Sequence, residues 1–380
     1  MRVAIVTPVF PSDLDQPSRG AGIGAVTLAR ALLAEAPDLD LHIVHYRAEK
    51  TLPERRLGSP AMTVHTHAAS RAARATPTPA LMQAEVGRVL KRIQPDVVHV
   101  RGTASMVDGR AWPAVLSVHG ITEREVALSG MKGARLRSQL HRLREPPARA
   151  RYRHVIAIVG HVTQALEGQL TGRVHFVPNS VGDEFFAAAG DRTGTAPLIV
   201  HAGDVCPIKN AAGTVRAMAV LKRRGVDCRL RILGQVTYPE YGRQVQALVE
   251  ELGLQDRVEL PGRIGRAEMP GELSRARVLA LPSFIEVAPL SIAEASAVGV
   301  PSVASPAGGN AEMVVDRYAG RMCSPTSPES IADALQPFLE DAALATLHGR
   351  RAREIAERHR PSAVARGTLA VYDAVLSGGT

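Results

Sequence analysis

The stretch PSFIEVAPLSIAEASAVGVPSVAS, residues 282–305, constrains this chain more than any other. The apolar run VLALPS at 278–283 reads as a buried strand. A short loop carrying Glu286 follows. Pro289 fits the first position of a helix, where its missing N–H costs nothing. The helix expected over 290–298 stops at Gly299, a C-cap residue, with Pro301 just beyond. PSVAS at 301–305 is a second short buried strand. A strand, loop, helix and strand in that order form one unit of a parallel sheet.

Two carboxylates mark the unit. Glu286 lies in a loop at the carboxyl end of a strand, where open α/β sheets bind ligands. Glu294 follows after seven intervening residues, about one turn into the helix. Between them the amides of Leu290 and Ser291 are first-turn donors, a ready anion site. The segment thus offers two carboxylates for hydroxyls and a helix N-terminus for phosphate, the chemistry that holds a nucleotide-sugar. On spacing alone, a helix with one exposed Glu and one loop Glu explains the pattern equally well.

The segment resembles the E-x7-E motif of retaining GT-B glycosyltransferases, in particular glycosyltransferase family 4 (glycosyl transferases group 1). The likeness extends over nearly the whole chain. It implies that Glu294 binds the nucleotide ribose and that Glu286 contacts the donor sugar. The family reads E-G-F-G after the first Glu, whereas this chain reads EVAP at 286–289, a narrower loop with one amide fewer.

With 380 residues the chain exceeds the roughly 250–300 at which single cores split, so two domains are expected. Cys206, Cys228 and Cys323 are scattered without metal spacing. The N-terminus MRVAIVTPVF reads as a first strand rather than a signal peptide. Together these point to a reducing, cytoplasmic setting. No apolar run approaches the ~20 residues that span a bilayer. The formal charge of +9 suits an anionic partner. Nucleic acid is excluded as the best candidate because no basic motif interleaved with aromatics is present. Residues 131–153 carry eight Lys or Arg against one acid, Glu145. This reads either as a solvated surface or as a peripheral contact with anionic lipid on the inner membrane face.

Along the chain, RVAIVTP (2–8) is the first strand, followed by a Gly-rich loop and a helix expected from near Ala25. Such a loop suits phosphate but lacks the G-x-G-x-x-G spacing of dinucleotide sites. By resemblance, Gly22 faces the donor diphosphate and the acceptor. Strands are expected at 41–46, 62–67, 94–102, 112–120, 154–159 and near 174. The strand at 112–120 ends at His119, which suits a sugar hydroxyl or a developing charge, although a satisfied loop His is the commoner case. The resemblance assigns His119 to the donor sugar. VPNSVGD at 177–183 matches the family's V-P-N-G-V-D, and Asn179 is expected to cap the exit from the sheet. The small, polar stretch 187–197 is the best linker.

After it the pattern restarts. Lys209 stands before a helix at the carboxyl edge of the second sheet, placed for a diphosphate leaving group, or else as an ordinary surface Lys. The family pattern is G-R-x(3–4)-K. This chain reads GDVCPIK, with Asp204 where the Arg belongs, so Lys209 acts with helix dipoles or another Arg, such as Arg263, compensates. Gly262, Arg263 and Ile264 follow a strand at the place where the family's backbone reads the base. Gly308 and Gly309 match the family's G-G-x-x-E and are expected to bring backbone close to the ligand.

The resulting expectation is an α/β protein of GT-B architecture, two Rossmann-like doubly wound domains facing a central cleft. The first spans 1–185 with a helix of 359–380 packing back on it; the second spans 190–358. The expected activity is transfer of a hexosyl or N-acetylhexosaminyl group from a nucleotide-sugar to an acceptor hydroxyl with retention. The donor is a substrate, a UDP-sugar ahead of a GDP-sugar, and neither metal nor cofactor is expected. His119, Glu286 and Lys209 carry the catalytic roles. Gly22, Lys209, Gly262, Arg263, Ile264, Glu286, Pro289, Leu290, Ser291 and Glu294 form the donor site. The acceptor stays open among small molecule, lipid and polysaccharide. A nucleotide-sugar epimerase of similar fold and a non-catalytic nucleotide-sugar binder are the alternatives.

Overall fold

The computed structural model describes residues 1–14, 20–48, 50–75, 79–128, 134–188 and 197–378. Most of the expected linker at 187–197 lies outside them. The chain divides into two compact units, Met1–Ser180 with Pro361–Thr380, and Val181–Arg360.

Among the described residues the first unit is built on eight strands: β1 (Arg2–Thr7), β2 (Asp40–Ala48), β3 (Leu52–Leu57), β4 (Met62–Ala68), β5 (Val97–Arg101), β6 (Ala114–Val118), β7 (His154–Ala157) and β8 (Arg173–Phe176). They lie in the order β3-β4-β2-β1-β5-β6-β7-β8. All neighbours are parallel except β3, which runs antiparallel to β4 along the edge. β1, β5, β6 and β7 are almost entirely buried, as apolar runs covered on both faces should be. The sequence pattern does not reveal β3, because LPERRL alternates no apolar side chains and is held only by its partner.

The helix after β1 runs from Gly20 to Glu35, earlier than the start expected near Ala25. Gly22 and Gly24 are therefore helical rather than in a loop, and both are buried. The C-terminal helix Pro361–Leu376 packs on Gly20–Glu35 and contributes Val364, Ala365, Val371 and Tyr372 to the first unit's core. Beneath it, the fully buried His99 has Nδ1 2.7 Å from the Tyr372 hydroxyl and Nε2 2.6 Å from Ser117 Oγ. Burial, then the charge of Arg101, push His99 well below the usual imidazole range, so it stays neutral with one nitrogen donating and the other accepting.

Among the described residues the second unit has six strands, all parallel: β9 (Leu198–Ala202), β10 (Arg229–Leu233), β11 (Val258–Gly262), β12 (Val278–Leu281), β13 (Ser302–Ala304) and β14 (Gly320–Met322). Their order is β11-β10-β9-β12-β13-β14. This is the doubly wound 3-2-1-4-5-6 arrangement, whose direction of winding reverses between β9 and β12. Ligands of such sheets bind at the carboxyl ends of the two strands flanking the reversal. Here those ends carry the loops of Lys209 and Glu286.

Candidate active site

The loops after β9 and β12 are stitched together by main-chain and amide contacts. Ile208 O accepts from Phe284 N at 2.8 Å. Asn210 takes a left-handed conformation at φ 59°, where its side chain caps the helix Ala211–Arg223 by accepting from Gly213 N. Its Nδ2 donates to Pro282 O at 3.0 Å and Pro325 O at 2.8 Å. One buried Asn thus closes a helix and ties down both loops.

That frame brings Lys209 and Glu286 into contact. Lys209 Nζ donates to Glu286 Oε1 at 2.6 Å, and Ser283 Oγ donates to the same oxygen at 2.8 Å. The Glu286 side chain is 6% exposed and that of Lys209 23%. No hydrogen bond reaches Glu286 Oε2 among the described residues. The buried His201, at the middle of the second sheet, has Nδ1 3.1 Å from Thr214 Oγ1. Burial, helped by the Lys209 charge, brings His201 down to about 4.

Pro289 is the residue before the helix rather than its first turn, with φ −66° and ψ 128°, and Leu290–Val298 is the helix. Gly299 closes it at φ 83°. Glu294 is buried within this helix and pairs with Arg266, Nη1 donating to Oε1. The structure therefore joins Lys209 to Glu286 directly but gives Glu294 a different cation. Arg266 carried no signal in the sequence. It lies in the turn after β11 and reaches Glu294 only because of the way the sheet is wound. Arg263, which sequence reasoning put forward for the missing clamp Arg, is exposed. Asp204 stands half-buried in the first turn after β9 and forms no ion pair among the described residues. Gly262 ends β11 at φ 82°, a conformation that favours glycine, and Ile264 follows half-buried.

Gly308 and Gly309 pack against protein, not open space. Gly309 N donates to Val287 O at 2.9 Å. A Cβ on Gly308 would stand 2.0 Å from Glu286 O. Close approach was expected there, but the partner is the main chain that carries Glu286. Ser305 Oγ adds a hydrogen bond to Ser283 O.

In the first unit, His119 follows β6. Its Nδ1 is 3.0 Å from Asn179 Oδ1, so Nδ1–H donates and Nε2 is left as an acceptor. Nε2 is buried and has no hydrogen bond among the described residues. Burial first, then the charge of Arg101, holds His119 well below the usual range. Asn179, read in the sequence as a cap, orients this imidazole. Gly22 is held within its helix, with Val9 and Pro11 in ordinary contact range of an added Cβ. Among the described residues no group of three or more His, Cys, Asp or Glu is placed to hold a metal ion.

Residues 18–185 match the family described as Glycosyltransferase Family 4, and residues 183–355 match Glycosyl transferases group 1. Together the two matches span 18–355, and the chain belongs to the family 4, group 1 glycosyltransferases. A D-inositol 3-phosphate glycosyltransferase from Streptomyces griseus is 32% identical to this family member over 200 residues, covering 50% of the chain and 42% of the relative. The chain thus spans under half the length of that curated relative. Its fold is that of sucrose-phosphate synthase from Thermosynechococcus elongatus, with TM-score 0.82 over all of both chains at 18% identity. Anabaena HepE in complex with UDP-glucose superposes with TM-score 0.72 at 17% identity, over 98% of this chain and all of the other. No helix among the described residues is long and apolar enough to cross a membrane.

Proposed function

We propose that this group 1 family member is a retaining glycosyltransferase that moves a hexosyl or N-acetylhexosaminyl group from a UDP-sugar, or failing that a GDP-sugar, to an acceptor hydroxyl without a metal ion. The observation that carries the reading is the Lys209–Glu286 contact at the winding reversal of the second sheet, with the N-terminus of Leu290–Val298 following in the chain. Lys209 leaves Glu286 for the donor diphosphate, whose charge is also met by the amides of Leu290 and Ser291. Glu286 Oε2 accepts from a sugar hydroxyl, and Glu294 accepts from the ribose. The bond from sugar C1 to the β-phosphate oxygen breaks, the acceptor oxygen bonds C1 on the same face, and the acceptor proton passes to the departing phosphate. A neighbour solved with UDP-glucose supports the donor class.

The test is turnover of UDP- and GDP-sugars by purified protein with candidate acceptors, paired with nucleotide titration of Glu294→Ala. Unchanged nucleotide affinity in that variant defeats the site assignment. Asp204 in place of the clamp Arg favours one second reading, a nucleotide-sugar binder that turns over slowly or not at all. Tight nucleotide binding without transfer would select it, and sugar interconversion with donor alone would select an epimerase.

A membrane partner fits one surface. The helix Ala134–Arg149 exposes Leu136 and Leu143, seven positions apart on one face, with Arg135, Arg137 and Arg142 exposed beside them. Apolar tips between cations suit an anionic lipid surface.

A further inference from the structure

We infer that Arg266 is a positioning residue for the donor: it fixes the Glu294 carboxylate so that one oxygen meets the ribose hydroxyls. This rests on the reading of Glu294 given above and adds a residue to which no motif assigns a role.

The geometry fixes the guanidinium on three sides. Its centre lies 4.3 Å from the centroid of the Phe185 ring, and Phe185 is fully buried. Nη1 donates to Glu294 Oε1. Nη2 is 3.6 Å from Glu184 Oε1 and is itself buried without a hydrogen bond among the described residues. The side chains of Arg266 and Glu294 are only 15% and 8% exposed.

A carboxylate this buried on a helix needs a cation, because the charge has given up its water. A planar guanidinium stacked on a ring loses little freedom in supplying one and accepts only a narrow range of carboxylate orientations. With Oε1 taken, the ligand's acceptor is Oε2, which receives no hydrogen bond among the described residues. Its direction is set by the Oε1 contact. Phe185 and Glu184 come from the helix Asp183–Ala187, so that short helix, remote in sequence, sets where the ribose carboxylate points.

The experiment compares UDP or GDP, whichever binds the wild-type protein, with its 2′,3′-dideoxy form by calorimetric titration. The proteins are wild type, Arg266→Met and Arg266→Lys, with thermal stability measured alongside. Wild type should prefer the intact ribose by about 10- to 100-fold, the scale of hydrogen bonds to a charged acceptor. Arg266→Met should cut that preference to within about threefold while leaving the dideoxy affinity within about twofold of wild type. Arg266→Lys, which keeps the charge without the fork, should recover part of the preference. A purely structural role lowers thermal stability and weakens both nucleotides equally; an unchanged preference in Arg266→Met therefore overturns the inference. Arg266→Gln, read in the same way, replaces the methionine variant if that one does not fold. Wild type that binds the nucleotide but ignores its ribose hydroxyls removes Glu294, and Arg266 with it. Wild type that binds neither nucleotide instead defeats the proposed function.

Discussion

Adding one methyl group at Gly308 should damage the proposed donor site through the main chain alone. Gly308 sits at φ +57°, where a side chain costs roughly 1–2 kcal/mol. Its Cβ would also stand 2.0 Å from Glu286 O and 3.2 Å from Val287 Cα. Carbon and oxygen settle no closer than about 3.3 Å, so the Glu286 segment must retreat by about 1 Å. Overpacking of that kind costs about 1–3 kcal/mol. Gly308→Ala should therefore lose about 2–5 kcal/mol, or about 5–15 °C in Tm for a unit of this size. The retreat carries Glu286 away from Lys209, now 2.6 Å distant. A misplacement of about 1 Å costs on the order of 100-fold in rate. Scanning fluorimetry and donor turnover read the two effects separately. Gly271→Ala is the control, since a Cβ there meets nothing within 4 Å. The reasoning fails if Gly308→Ala keeps wild-type Tm with kcat/KM within twofold. A lowered Tm with intact kcat/KM would show that the main chain at Glu286 is not coupled to the chemistry.

Lys209→Met should lower kcat/KM by about 100- to 1000-fold, as for other groups facing a developing negative charge. Combined with Glu286→Gln it should lose less than the sum of the two single effects; additivity would mean that the residues act apart. His201 is held near 4 against an ordinary 6.5, so the unfolded chain binds the proton first as pH falls. Its stabilising effect is complete above about pH 6.5 and declines toward pH 4, by about 3 kcal/mol in total. His201→Gln should flatten denaturant-measured stability across that window, and an unchanged slope would exonerate His201. Vesicles rich in anionic lipid should pellet the protein at low salt but not at high salt, and Leu136→Glu with Leu143→Glu should abolish pelleting. No binding by the wild type at low salt removes that helix as an anchor.

The parallel strands were legible because their apolar runs are short and punctuated by Gly and Pro, as at Val278–Leu281 before Glu286 and Gly299 after the helix. β3 was not, since an edge strand with charged side chains on both faces carries no period. The early start at Gly20 was hidden because glycines argue for a turn locally, while packing on Pro361–Leu376 makes them helical. Lys209 and Glu286 could be named from their places at strand ends. Their contact, and the cation on Glu294, depend on which strands become neighbours across the sheet. Arg266 is 28 positions from Glu294 and Asn179 is 60 from His119, distances over which spacing carries no information.

The helix Pro361–Leu376 has a consequence for synthesis. The half of the protein made first on the ribosome lacks Val364, Ala365, Val371 and Tyr372, all of which belong to its own core. Until they emerge, His99 has no phenol beside it and the sheet around β5 and β6 has an uncovered apolar trough. The later-translated half needs nothing from beyond Arg360 for its own sheet. The order of completion is therefore the reverse of the order of translation, and a premature stop within the last few turns harms the part of the molecule that was built first.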